Sequence, residues 1–155
     1  MKKLLFVLYM ALFSTTSSFA QKGATTLGLH GAYLFDSPNN LGLGANIGYE
    51  FIDNLRGVAE FNYLFKKDYV SYWNIEANME YLFRLNRQFT LYPVLGLDFL
   101  GANWEGGGSK SKMGMNIGAG FEVGLSRSVG LNVEFNYKTQ YDGYSLLKFG
   151  IVLPL

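Results

Sequence analysis

Ten charged side chains in this sequence are candidates for joint chemistry: the acids Glu50, Glu60, Glu76, Glu80, Asp98, Glu122 and Glu134, and the bases Arg56, Lys138 and Lys148. Seven carboxylates beside three cations suggest acid–base catalysis by a carboxylate pair, a path for cations, or a network of ion pairs. The first fails on spacing. Glu76 and Glu80, four apart on an extended chain, are roughly 13 Å apart at about 3.3 Å per residue, too far for the pair of a glycosidase. Nucleophilic catalysis fares no better. The chain has no cysteine and one histidine, His30, whose strand carries no serine; Ser37 falls in the adjoining loop and Ser145 has no identifiable base. A nucleophile needs an oriented base, so no catalytic residue is expected, and His30 reads as a buried hydrogen-bonding group. One histidine and scattered carboxylates make no transition-metal site. The glycine pairs Gly42/Gly44 and Gly118/Gly120 open no helix that could cradle a phosphate. No cofactor is expected, and calcium at Asp36, Asp68 or Asp142 has no supporting ligand pattern.

The elements that must position these groups belong to a chain of 155 residues, 49% apolar and 16% charged, a length that suits one domain. Thirteen Lys plus Arg balance 12 Asp plus Glu, and no basic block longer than Lys66-Lys67 occurs, so the electrostatic footprint of a nucleic-acid binder is missing. The first residues stand apart. Met1-Lys2-Lys3 is a basic start, 4–13 an uncharged apolar run, and the next stretch is small and polar, ending Ser18-Phe19-Ala20. This three-part pattern is that of a secretory signal peptide over 1–20, cleaved before Gln21. A transmembrane helix would need roughly 20 apolar residues. The mature domain is 21–155.

Beyond Gln21 the apolar residues alternate with period two from end to end, which is the signature of strands. Eight are expected, at 25–34, 41–51, 55–65, 72–83, 89–102, 113–125, 129–140 and 144–155. Strands of about 9 to 11 residues, tilted by about 45°, are what a bilayer crossing demands. The connections at 52–54, 84–88 and 126–128 are tight, whereas 35–40, 66–71 and 103–112 read as longer polar loops, the last made the most mobile by Gly106-Gly107-Gly108. One face of the strands holds residues such as Leu43, Ile47, Phe61, Ile75, Leu97, Ile117, Phe135 and Phe149, and no charge. The other holds the ten charged groups above, Asn46, Asn62, Asn74, Asn78, Asn116, Asn132 and Asn136, His30 and eleven glycines. On a solvated sheet so many glycines would weaken every strand. In a narrow lumen filled by side chains, small residues must offset large ones. The apolar face is then the outside, with Tyr33, Phe65, Tyr72, Trp73, Trp104, Tyr141 and Tyr144 as an aromatic belt at one end and Phe51, Phe83, Phe89 and Phe121 at the other. Two repeats, EFNY at 60–63 and 134–137 and NIG at 46–48 and 116–118, join strands four apart.

This fold class, an all-β, eight-stranded antiparallel up-and-down transmembrane β-barrel, resembles the small outer-membrane barrels of Gram-negative bacteria, similar to the OmpA transmembrane domain and OmpX. The resemblance covers the mature chain and rests on its architecture, on glycine-rich strands such as LGLGANIGYEF at 41–51, and on the alternating last strand YSLLKFGIVLPL at 144–155, which ends in Leu155 where the family usually has an aromatic. It implies an outer-membrane location reached by way of the cleaved signal peptide. It also implies contact with outer-membrane lipid and lipopolysaccharide, and recognition by the barrel assembly machinery through the last strand. A monomer with a structural or surface-interaction role is expected, with no nucleic-acid partner. Its lumen charges should interlock as ion pairs, since eight strands leave no room for an open channel and unpaired buried charge is costly. A narrow cation-selective pore is the alternative, and an enzyme acting on lipid A, as some eight-stranded barrels are, comes third.

Overall fold

The computed structural model describes residues 23–35, 39–67, 69–140 and 143–155. The expected signal peptide and its cleavage point, together with Asp36, Ser37, Asp68, Tyr141 and Asp142, lie outside the described residues. The elements are β1 Thr25–Leu34, β2 Asn40–Ile52, β3 Leu55–Lys67, β4 Val70–Tyr81, β5 Phe83–Arg84, β6 Phe89–Trp104, β7 Gly108–Gly124, β8 Gly130–Lys138 and β9 Tyr144–Pro154. β4 and β5 are one strand interrupted at Leu82, because the register is the same on both sides of the gap, Glu80↔Val94 and Phe83↔Leu91. The gap, Tyr81 and Leu82, lies opposite Pro93 and Tyr92, and Pro93 has no N–H to give a ladder; on the other edge the Leu82 N–H donates to the Asn54 carbonyl (2.7 Å). Eight antiparallel strands therefore close on themselves through β1 and β9.

The closure can be followed residue by residue. Thr25 pairs with Tyr49, then in turn come Gly57, Met79, Leu95, Ile117, Tyr137 and Ser145, whose carbonyl accepts from the N–H of Phe35. One circuit thus climbs from residue 25 to residue 35 of the first strand, a shear of ten. Ten residues of about 3.3 Å against eight spacings of about 4.8 Å set a strand tilt of about 40°. At that tilt ten residues rise about 25 Å, the height of the apolar band of an outer-membrane barrel.

The two faces separate as their chemistry requires. Phe61, Ile117 and Phe149 are 49%, 56% and 58% exposed, while Glu60 and Lys148 are 4% and 1%. Such a belt of rings and branched chains around the whole circumference is an exterior that hydrocarbon solvates and water does not. Glycines make room inside: a Cβ at Gly120 would meet the Tyr92 ring, and one at Gly44 would meet His30 and Asn62.

Three expectations need correcting. The stretch 66–71 is no long loop, because pairing runs to Lys67↔Val70 and Tyr69 takes φ 67° in the intervening turn. The stretch 103–112 is a hairpin, paired as far as Trp104↔Gly108 and closed by Gly106 and Gly107 at φ 114° and 103°. Among the described residues, β7 from Gly108 to Gly114 pairs with β6 alone, past the last β7–β8 pair, Asn116↔Lys138. Lastly, Tyr144 and Tyr72 do not join the outer belt: Tyr144 is buried in the lumen with Ala32, Leu34, Leu64, Leu100 and Leu146, and Tyr72 packs against that cluster.

Candidate functional site

The lumen is the one place where the sequence concentrates charge, and it is filled in layers. At the turn end β5 directs Arg84 inward, where its guanidinium donates to both oxygens of Glu50 (3.2 and 2.8 Å) and to Asn54 Oδ1 (2.6 Å). The Asn54 N–H, in a turn with φ 70°, donates to the same Glu50 (2.8 Å). Next, Arg56 of β3 spans the lumen to Glu80 of β4 (2.7 Å) and Glu122 of β7 (2.5 Å), and lies over the Tyr92 ring at 5.4 Å. Tyr92 in turn donates to Glu134 (3.1 Å) and packs with Leu82 and Val94 into a small apolar plug. A void of about 10 Å³ remains beside Arg56, Glu80 and Glu134, room for one water at most.

Glu76, on β4, is the hub of the middle layer and is 1% exposed. Its Oε1 accepts from Asn62 (3.1 Å), Asn74 (2.9 Å) and Lys138; its Oε2 accepts from Asn78 (2.9 Å), Asn116 (3.0 Å) and Lys148 (3.3 Å). Lys148 also pairs with Glu60 and with Glu134 (3.2 Å), and Lys138 reaches Asp98 (3.5 Å). Above this, Asp98 accepts from Gln140 (2.8 Å) and Tyr144 (3.0 Å), beneath the apolar cluster that closes the loop end. Ion pairs this deep persist only where hydrogen bonds satisfy the remaining lone pairs, and the asparagines supply them. Among the described residues five buried oxygens, Asp98 Oδ1 and Gln140 Oε1 included, have no donor, which single waters would remedy.

All ten charged residues singled out from the sequence point into the lumen, and all take part in ion pairs there: Glu50 in the first layer, Arg56, Glu80 and Glu122 in the second, Glu60, Glu76, Glu134, Lys138, Lys148 and Asp98 in the third. His30 hydrogen-bonds Asn62 (2.6 Å), the lumen role expected of it. The repeat gains a meaning too, since Asn62 donates to Glu60 and Asn136 to Glu134, each at 2.7 Å, and Lys148 ties the two carboxylates together. Among the lumen residues that escaped the sequence reading are Arg84, Tyr92, Gln140 and Tyr144. The signal for them was parity. The lumen side chains are even-numbered on every strand, because the register shifts at Glu50/Ile52 and Leu64/Lys67 fall at strand ends, and these four are even-numbered.

The sequence over residues 5–153 matches the family described as outer membrane protein beta-barrel domain. No curated protein matches the chain. Among solved structures, the N-terminal β-barrel domain of Pseudomonas aeruginosa OprF is similar at a TM-score of 0.74 and 17% identity, over 88% of this chain and 99% of that one. The attachment invasion locus protein Ail of Yersinia pestis is similar at 0.63 and 18%, over 87% and 100%. Neisserial surface protein A is similar at 0.68 and 17%, over 86% and 97%. A designed transmembrane β-barrel fits at 0.65 and 14% identity, so these likenesses are of architecture alone. The closed eight-stranded ladder, the hydrocarbon-facing belt and the match along nearly the whole sequence make this chain a member of the outer membrane β-barrel family, a protein of the bacterial outer membrane.

Proposed function

We propose that this protein is a closed structural barrel: a monomer embedded in outer-membrane lipid and lipopolysaccharide, non-conducting and non-catalytic, which presents its loop end for contact at the surface. The observation that carries this reading is the Glu76 hub. With Lys138 and Lys148 0% and 1% exposed and bonded to it, the centre of the lumen is packed with ion pairs. The apolar clusters above and below it add two further barriers. Planar-bilayer recording of the purified protein tests this reading. A silent bilayer is expected, and steady cation-selective steps would replace it with the pore reading.

Surface contact is favoured by the β6–β7 hairpin, which carries exposed Ser109, Lys110 and Ser111. An enzyme on lipid A is the weakest reading, since His30 is buried against Asn62 and Glu60, and among the described residues no serine bonds it. Lipid A from cells with and without the protein should be identical in mass spectra. Delivery is by way of the signal peptide 1–20 and the assembly machinery acting on β9, so that replacing the apolar run 4–13 with polar residues should leave the chain in the cytoplasm.

A further inference from the structure

The chain has four arginines, Arg56, Arg84, Arg87 and Arg127, and all four line one cavity, a vestibule of about 1440 Å³ that opens at the turn end of the barrel. The described lysines lie elsewhere. Guanidinium differs from ammonium in offering a planar fork of donors that fits a carboxylate or phosphate in two-point fashion, so this segregation selects for oxyanions. Two of the four are already engaged, Arg84 by Glu50 and Arg56 by Glu80 and Glu122. Arg87 and Arg127 are exposed and have no acid partner among the described residues.

Their placement is alike. Asn86 Oδ1 accepts the N–H groups of Gln88 (2.8 Å) and Phe89 (2.9 Å), which holds Arg87 at the tip of the turn between β5 and β6. Ser126 Oγ accepts the N–H of Ser128 (3.2 Å), which holds Arg127 at the tip of the turn between β7 and β8. The two turns are linked to each other by the Gly124 N–H donating to the Gln88 carbonyl (2.8 Å). Two free forks thus stand on adjacent side-chain-braced turns at one mouth, while the acid side chains that line the cavity, Glu50 and Glu122, are occupied by Arg84 and Arg56.

The geometry points to a binding site for a small multivalent oxyanion, a phosphorylated or polycarboxylate solute, held between Arg87 and Arg127 at the turn-end vestibule. The test is isothermal titration of the folded full chain, in zwitterionic detergent at low ionic strength, with tripolyphosphate and separately with citrate. Saturable binding that weakens as salt is raised is expected, and whichever anion binds more tightly names the head group. Arg87→Gln and Arg127→Gln should each weaken binding about tenfold, the scale of a lost charge-assisted hydrogen bond, and Arg→Lys at either position by less. Both positions are on exposed turns, and unchanged heat-modifiable gel mobility would show that the variants fold. Lys110→Gln at the opposite end should leave binding intact. Absence of binding, binding by the Arg87→Gln/Arg127→Gln double variant equal to that of the parent, or loss of binding in Lys110→Gln would each overturn the proposal.

Discussion

A carboxylate that accepts six donors holds more than its own place. Glu76 is the common partner of Lys138 and Lys148, and replacing it with Leu leaves two buried ammonium groups with only Asp98, Glu60 and Glu134 to serve them. Breaking a buried pair on one side costs about 3–5 kcal/mol, so Glu76→Leu should lower the stability of the detergent-folded protein by that amount in denaturant titration. The pair Lys66–Glu105 makes the contrast, because both partners are about half exposed. Glu105→Gln should cost under about 1 kcal/mol. Equal costs for the two variants would remove the hub from its central position. Glycine imposes a second demand at this scale. A methyl at Gly120 enters the space of the Tyr92 ring, which is itself held by Glu134 and stacked under Arg56. Overpacking of this kind costs about 1–3 kcal/mol. Gly120→Ala should show it as a lower denaturation midpoint, and Tyr92→Leu in the same chain should recover part of the loss. These side chains were legible in sequence as a set, from charge and alternation. Who meets whom was not, since Glu76 and Lys148 are 72 residues apart and meet across the lumen.

The strands were readable where a membrane constrains them and misread where it does not. Alternation survives as long as one face must be apolar. Past the membrane both faces of the β6–β7 hairpin are wet, and Ser109, Lys110, Ser111 and Lys112 have the composition of a loop although they form a ladder with β6. The strand exits carry their own signal. β1, β2, β3 and the β4–β5 strand each leave the bilayer on an outward Tyr-x-Phe pair, Tyr33/Phe35, Tyr49/Phe51, Tyr63/Phe65 and Tyr81/Phe83, with ring centroids 4.9, 5.3, 6.1 and 4.8 Å apart. Paired rings at alternating ends mark the two interfaces and so fix the depth of each strand. On β7 this depth makes a graded prediction. Ile117, between Leu95 and Tyr137, lies near mid-bilayer, whereas Leu125 follows the strand at the turn end. Arginine at Ile117 should cost about 2–4 kcal/mol of stability in lipid, and at Leu125 about 1 or less. Equal penalties measured by unfolding from vesicles would mean that the belt is set at a different depth.

At the scale of the whole barrel, the sequence announces the number of strands but not the shear, because stagger is decided by which residue of one strand settles opposite which of the next. The observed shear of ten tilts the layers so that charges from β3, β4, β7, β8 and β9 converge near the axis, and the resulting barriers stand in series: Arg84–Glu50, Arg56 with Glu80 and Glu122, the Glu76 hub, and the Leu34, Leu64, Leu100 and Leu146 lid. Barriers in series have a consequence for conduction that no single pair reveals. An ion must pass all of them, so removing one changes the total resistance little while another stays closed. The ladder that closes the wall, from β1 to β9, does not depend on the plug. The triple variant Glu76→Gln/Lys138→Met/Lys148→Met should therefore still fold into bilayers. Neutral isosteres of a buried charge cluster are often tolerated where a one-sided deletion is not, so its stability should exceed that of Glu76→Leu. It should also stay electrically silent, because the Leu lid and the Arg56 layer remain. Conductance from the triple variant alone would show that the middle layer is the only seal, and that the apolar clusters at the two ends let water through.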